Sequence, residues 1–244
     1  MDVHLNELIP VPSAAEAEAA REQQRQRQQR QAAQSDSRRA LVLEAARSVF
    51  AEKGVEGASI REIAKRAAYT PGAIYSYFES KEAIYAALLA ESLERLNREV
   101  AAARPAKSQP QAMLAAKAQA WFGFYARNPR DLDLGFYLVQ GLAPRGLTSE
   151  LNQQLNGRLH DALHPCEQAL QAMGLSPESA LRENASLFAH GVGLLLLQHT
   201  GRIRMFGQSP DALFQAYVDH LVARLSPRDG ASAAEPGQAD LFGG

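Results

Sequence analysis

Apolar residues recur at three- and four-residue spacing between 37 and 54, with Val42, Ala45, Ala46, Val49 and Phe50 on one face. That period marks an amphipathic helix, and Gly54 is a natural residue to end it. The run Ser59-Ile60-Arg61-Glu62 has the form of a capping box, in which a serine hydroxyl and a glutamate satisfy each other's backbone amides. It opens a short helix with Ile60, Ile63, Ala64 and Ala67 turned inward. Thr70 followed by Pro71 is a second start signal, an N-cap with proline at the first helical position, for a helix over 70–78. Ser80 gives a third, for a long helix from Lys81 to about Val100. After a break at 105–110 the pattern predicts helices over roughly 111–127, 130–142, 148–173, 179–201 and 210–225. No convincing run of alternating strand residues interrupts them. The expected fold is all-α: a three-helix head, a linking helix and a larger helical body.

The two very short helices are joined by only Ala68 and Tyr69. That is the layout of a helix-turn-helix, whose second helix lies in the DNA major groove. At about 100° per residue, Ile74 and Phe78 define the inward side of the second helix. Gly72, Ala73 and Ser76 gather on the opposite side, and Tyr75 and Tyr77 project to the two flanks. A groove has a phosphate strand along each wall, so a helix laid small face down would bring a tyrosine hydroxyl near each. Thr70 and the first-turn amides are natural phosphate donors, and Lys81 adds a cation at the same edge. The competing reading is that these aromatics are core. It holds for Phe78, but burying both flanking tyrosines is awkward. A small exposed face also makes sense only if a bulky partner comes close.

The stretch 38–90, with RRALVLEAARSVFAEKG, ASIREIAKRA and TPGAIYSYFESKEAIYAALL, resembles the DNA-binding head of the TetR family of transcriptional repressors. The resemblance implies an all-α fold and a homodimer on a palindromic operator of double-stranded DNA. By that resemblance Thr70, Tyr75, Tyr77 and Lys81 are phosphate contacts, and Pro71, Gly72, Ala73 and Ser76 face the groove. One departure stands out: Ala68 occupies a turn position where the family usually has glycine. If that position requires a positive φ, alanine costs about 1 kcal/mol there. The groove-facing set has no long hydrogen-bonding side chain, so arginine–guanine or asparagine–adenine readout is missing from it. Specificity is then expected from close packing on thymine methyls, from Ser76, from Arg61 or Lys65 of the preceding helix, and from DNA shape. Arg61 and Lys65, four apart, equally fit a plain solvated face.

Composition trims this picture. Hydrophobic residues make up 46% of the 244 residues and the net charge is −1, so nucleic-acid binding must rest on local features. No apolar run approaches the ~20 residues a membrane span needs, and no secretory signal opens the chain. One cysteine, Cys166, excludes an internal disulfide, and a cytoplasmic protein is expected. Residues 1–36 read as a mobile or solvated Gln/Arg-rich arm, acidic early and basic later. Either it is a soluble tail or it reaches a DNA backbone. The head is expected over 37–82, the regulatory and dimerisation body over 83–225, and a disordered tail over 226–244.

The body is rich in aromatics. Most read as core, while Trp121, Tyr125, Tyr137, His190 and Gln198 bring polar tips that suit a pocket for a small apolar effector. The segment SLFAHGVGLL (186–195) loosely resembles a TetR-type body with a Trp-His-Gly signature, keeping His190–Gly191. The resemblance implies that the last two helices form the dimer interface, with Ala189, Gly191 and Gly193 allowing close approach; an ordinary buried helix is the alternative. His160, His164 and Cys166 are weak metal candidates without a carboxylate. The tail run QADLF (238–242) resembles a short sliding-clamp docking peptide, a match easily made by chance. No cofactor, catalytic or metal site is expected. The function read from this is a DNA-binding regulator, a repressor released by a small apolar ligand. The alternative is a ligand-independent DNA binder that organises the chromosome or regulates division. An enzyme reading lacks a nucleophile–base pair.

Overall fold

The computed structural model of the chain describes residues 14–136 and 148–226, and those residues contain helices and no strand. Tyr137, the break at 143–146, the tail beyond Ser226 and its QADLF run lie outside the described residues. The helices are α1 (Ala14–Gly57), α2 (Ile60–Ala67), α3 (Pro71–Tyr75), α4 (Lys81–Ala102), α5 (Pro110–Arg127), α6 (Pro129–Gly135), α7 (Ser149–Ala172), α8 (Pro177–His199) and α9 (Pro210–Leu225). They fall into two compact units, one up to Leu88 and the other from Leu89 on.

The beginning of the chain differs from the expectation. The arm over 1–36 is helical from Ala14 and continuous with α1. Its residues 21–36 are all exposed. Its Ala, Gln, Glu and Arg content favours helix, and the helix of the head supplies a nucleus from which it propagates. Gly54, with φ 69°, bends α1 before its last residues.

In the first unit the predicted stripe is the core. Val42, Ala46, Val49 and Phe50 of α1 are at most 2% exposed, and so are Ile63 and Ala64 of α2, Ile74 of α3 and Ile84, Tyr85 and Leu88 of α4. Each large side chain enclosed this way contributes about 1.5–3 kcal/mol. Ile60 and Ala67, expected inward, are half-buried. Phe50 and Tyr85 meet edge to face at 6.2 Å. Arg66 forks both its terminal nitrogens onto the Glu52 carboxylate, and Lys53 bonds Glu62, so α1 and α2 are tied twice on their outer side. The Arg66 guanidinium holds the Glu52 carboxyl below its ordinary value.

In the second unit α5 packs against α6, α7, α8 and α9. Its Trp121, Phe122 and Tyr125 are buried. Phe122 stacks on Phe214 of α9 at 4.3 Å, and Trp121 leans on Phe188 of α8 at 5.2 Å. Gly191 is what lets α8 come this close. A Cβ there would stand 2.6 Å from Cζ3 of Trp121 and 3.0 Å from Cε2 of Phe214. Gly191 does not belong to the partner seam expected of it with Ala189 and Gly193: it is buried within its own body, as the alternative of an ordinary buried helix has it, while the other two are exposed. Lys117 is buried beside the end of α4, where its ammonium donates to the carbonyls of Val100 (2.7 Å) and Ala101 (3.1 Å). It satisfies last-turn acceptors that no intrahelical amide reaches. Burial, with a smaller push from Arg104, lowers its affinity for a proton.

Gly191→Ala should lose about 1–3 kcal/mol through overpacking, whereas Gly193→Ala, with nothing within 4 Å of the added Cβ, should be neutral or slightly stabilising. Urea denaturation of the two variants beside the parent measures the contrast.

Candidate nucleic-acid interface

The turn between α2 and α3 rests on one residue. Ala68 has φ 58° and ψ 38°, the one non-glycine positive φ among the described residues. Its amide closes onto Lys65 O, and the next amide, of Tyr69, returns to Ala64 O at 2.9 Å. The turn thus has the left-handed geometry that glycine would supply without a Cβ conflict. At its start, Ser59 and Glu62 form the expected capping box: Glu62 N–H donates to Ser59 Oγ and Ser59 N–H to Glu62 Oε2 (3.1 Å).

The second helix is shorter than the 70–78 expected, five residues ending at Tyr75. Thr70 caps it, its Oγ1 accepting from Ala73 N–H at 3.2 Å. Ser76 closes it, its Oγ donating to Ala73 O at 2.7 Å. Beyond the helix, Tyr77 N–H and Phe78 N–H still donate to Ile74 O, so the wheel reading holds for two more residues. Ile74 is fully enclosed and Phe78 nearly so, with the Arg39 guanidinium 5.0 Å from the Phe78 ring centre. Pro71, Gly72 and Ser76 are exposed and Ala73 half-exposed. Tyr75 is 57% exposed, and Tyr77 is half-buried. The result is a small, uncharged face held outward by one buried isoleucine. Arg61 and Lys65 of α2 are exposed as well.

Lys81 differs from its expected part. Its ammonium donates to Glu56 O at 3.0 Å and Ala58 O at 3.2 Å, so it fastens the end of α1 to the start of α4. Of its three N–H donors, two serve the fold.

The effector candidates do not share one cavity. Tyr125 and Gln198 line the same open cleft of about 400 Å³, together with Pro129, Leu132, Leu195 and His199. Gln198 Oε1 is enclosed there without a hydrogen-bond partner. His199 Nε2 stands 3.0 Å from Asp133 Oδ1. Leu132, Leu195, His199 and Asp133 were not singled out in the sequence, because only the packing of α5, α6 and α8 joins them. Trp121 sits in the aromatic cluster with its Nε1 unpaired. His190 stacks on Tyr217 at 4.1 Å, and burial lowers its affinity for a proton. Burial also raises the Tyr125 hydroxyl above its usual range. Of the metal candidates, His160 and His164 are exposed and stacked on each other, while Cys166 is enclosed with its thiol pushed up to about 12 by burial.

A left-handed turn joining two short helices, the second small-faced and flanked by tyrosines, defines the helix-turn-helix class of DNA-binding head. Residues 42–88 match the profile described as bacterial regulatory proteins, tetR family. The HTH-type transcriptional repressor NicS of Pseudomonas putida is 31% identical over 146 residues, covering 59% of this chain and 68% of that one. The chain belongs to the TetR family of bacterial regulators. The HTH-type transcriptional regulator UidR of Escherichia coli is 39% identical over 62 residues, 25% of this chain; the match spans about a third (32%) of that relative's length. Among solved structures, a tetR-family regulatory protein from Rhodococcus superposes with a TM-score of 0.59 at 20% identity, over 79% of this chain and 98% of its own. The FadR regulator of Bacillus subtilis, in complex with stearoyl-CoA, gives 0.55 at 22% identity, over 75% and 97%. These two share the fold.

Two substitutions separate fold from recognition. Ala68→Gly should stabilise the head by about 1 kcal/mol, by removing the left-handed Cβ conflict. A Cβ at Gly72 would meet nothing within 4 Å, so Gly72→Ala should keep or raise stability, by up to about 1 kcal/mol. If the small face is there for a close partner, Gly72→Ala should nevertheless weaken DNA binding; thermal unfolding and a gel-shift titration on the same samples test both halves.

Proposed function

We propose that the protein is a dimeric transcriptional repressor that places α3 in the major groove of a two-fold-symmetric operator. The observation that carries this is the outward face of α3: small, exposed, open around Gly72, and fixed from behind by Ile74. In this reading Thr70, Tyr75 and Tyr77 contact phosphates, while Pro71, Gly72, Ala73 and Ser76 lie against base edges with Arg61 and Lys65 beside them. Lys81 acts mainly by holding the head together, with one N–H left for a phosphate. The small face favours thymine methyls and shape readout over bidentate hydrogen bonds.

The exposed Ala189 and Gly193 of α8, together with α9, form the dimer seam. A small amphiphilic effector occupies the cleft beside Tyr125 and Gln198 and releases the operator. The acyl-CoA complex of FadR, a protein of the same fold, and the name of NicS as a repressor are in keeping with a ligand-controlled repressor.

Selection of bound duplexes from a random pool should return two half-sites centred about 10 base pairs or a multiple apart. Tyr75→Phe should weaken binding to the selected site by roughly 1 kcal/mol, about fivefold, with unfolding unchanged. Recovery of no common sequence, with many equivalent sites instead, would favour a chromosome-organising role. No binding to any duplex at low salt would end the DNA-binding reading.

A further inference from the structure

The upstream part of α1 has no evident purpose in the fold. From residue 21 to 38 every side chain is exposed, and a helix polar all round gains nothing from packing. Its charges are sorted along its length. Glu16 and Glu18 lie near its start, whereas residues 21–39 carry Arg21, Arg25, Arg27, Arg30, Arg38 and Arg39 against the two acids Glu22 and Asp36. In a chain of net charge −1, that is a local concentration of cation next to the head.

Helix geometry says which way part of this charge looks. Eighteen residues make five full turns. Arg21 therefore points in the same direction as Arg39, and Arg25 in the same direction as Leu43. Leu43 is buried on the side of α1 that packs onto the rest of the head, and Arg39 lies over Phe78, just past the end of α3. The apolar stripe of α1 thus continues upstream as a polar and basic stripe, Arg21 and Arg25 with Arg39. It overhangs the head by about 27 Å at 1.5 Å per residue, on the side where α3 ends.

We propose that this overhanging stripe is a second contact with DNA, a sequence-independent one, in which Arg21 and Arg25 lie along the phosphate backbone flanking the site that α3 reads. This rests on the DNA-binding reading above. A duplex backbone is a long, regular run of negative charge, and guanidinium groups pair with phosphate oxygens in two-point contacts. The arrangement also complements an uncharged reading face: α3 chooses the site and α1 supplies attraction that α3 lacks.

The test uses the full chain and a 40-base-pair duplex of mixed sequence, with affinity measured over a series of salt concentrations. The double variant Arg21→Gln/Arg25→Gln keeps good helix formers in place. Its plot of log affinity against log salt should be shallower by about 2 per protomer, with affinity near 0.1 M salt down tenfold or more. Arg21→Lys/Arg25→Lys should restore the slope. Unchanged slope and affinity in the glutamine variant, while Tyr75→Ala still weakens binding, would overturn the proposal and leave the α3 reading standing. A change confined to oligomeric state in sedimentation would also overturn it, by showing that the stripe meets a second copy of the chain. If the unmodified chain binds no duplex, the regulator reading itself falls.

Discussion

A five-residue helix cannot hold itself in water, since nucleation alone costs more than so few hydrogen bonds return. Everything α3 does therefore depends on Ile74, which is completely enclosed. Thr70 and Ser76 then close the helix at its two ends with side-chain bonds to Ala73. The left-handed Ala68 sets the angle at which it leaves α2. With the inner side committed to anchoring, the outer side is free to be small. The absence of large polar groups on that face follows from the same economy: a long side chain there would hold the backbone away from any surface it approached.

Lysines are used in both units in a way that is easily mistaken for binding chemistry. Lys81 reaches one carbonyl in the last turn of α1, of Glu56, and one just past it, of Ala58, and Lys117 two carbonyls at the end of α4. Helix C-termini carry unpaired acceptors and the negative end of the helix dipole, so an ammonium is well placed there. Sequence spacing cannot separate such a lysine from one reserved for phosphate, because both sit at helix junctions.

Most of the head was legible before its structure, for identifiable reasons. The capping box at Ser59, the Thr70–Pro71 start and the stripe from Val42 to Phe50 are local signals, and each appears as written. The positive φ at Ala68 was legible only as a condition, from the glycine usual at that turn position, and the structure meets it. The length of α3 was not legible, since Tyr77 and Phe78 keep helical hydrogen bonds after the helix has ended. In the body, helix starts were placed one or two residues late at Pro129 and Pro177, although proline at the first helical position was the very signal used for Pro71. The cleft was least legible. Tyr125 and Gln198 meet there, but Leu132 and Asp133 come from α6 and Leu195 and His199 from α8, and no spacing along the chain brings the two pairs together. The role of Gly191 was misread for a similar reason: a glycine allows a close approach, and only the packed structure says that the neighbour is Trp121.

That contact has a spectroscopic consequence. Trp121 is the only tryptophan in the chain, and it is wedged between Gly191, Phe188 and Phe214 in the second unit. Indole emission from the unlabelled protein therefore reports on the body alone, while Tyr75 and Tyr77 of the head contribute nothing to it under selective excitation. The chain carries a built-in optical probe of its body that is blind to its head, so a change in indole emission can be assigned to the body without labelling.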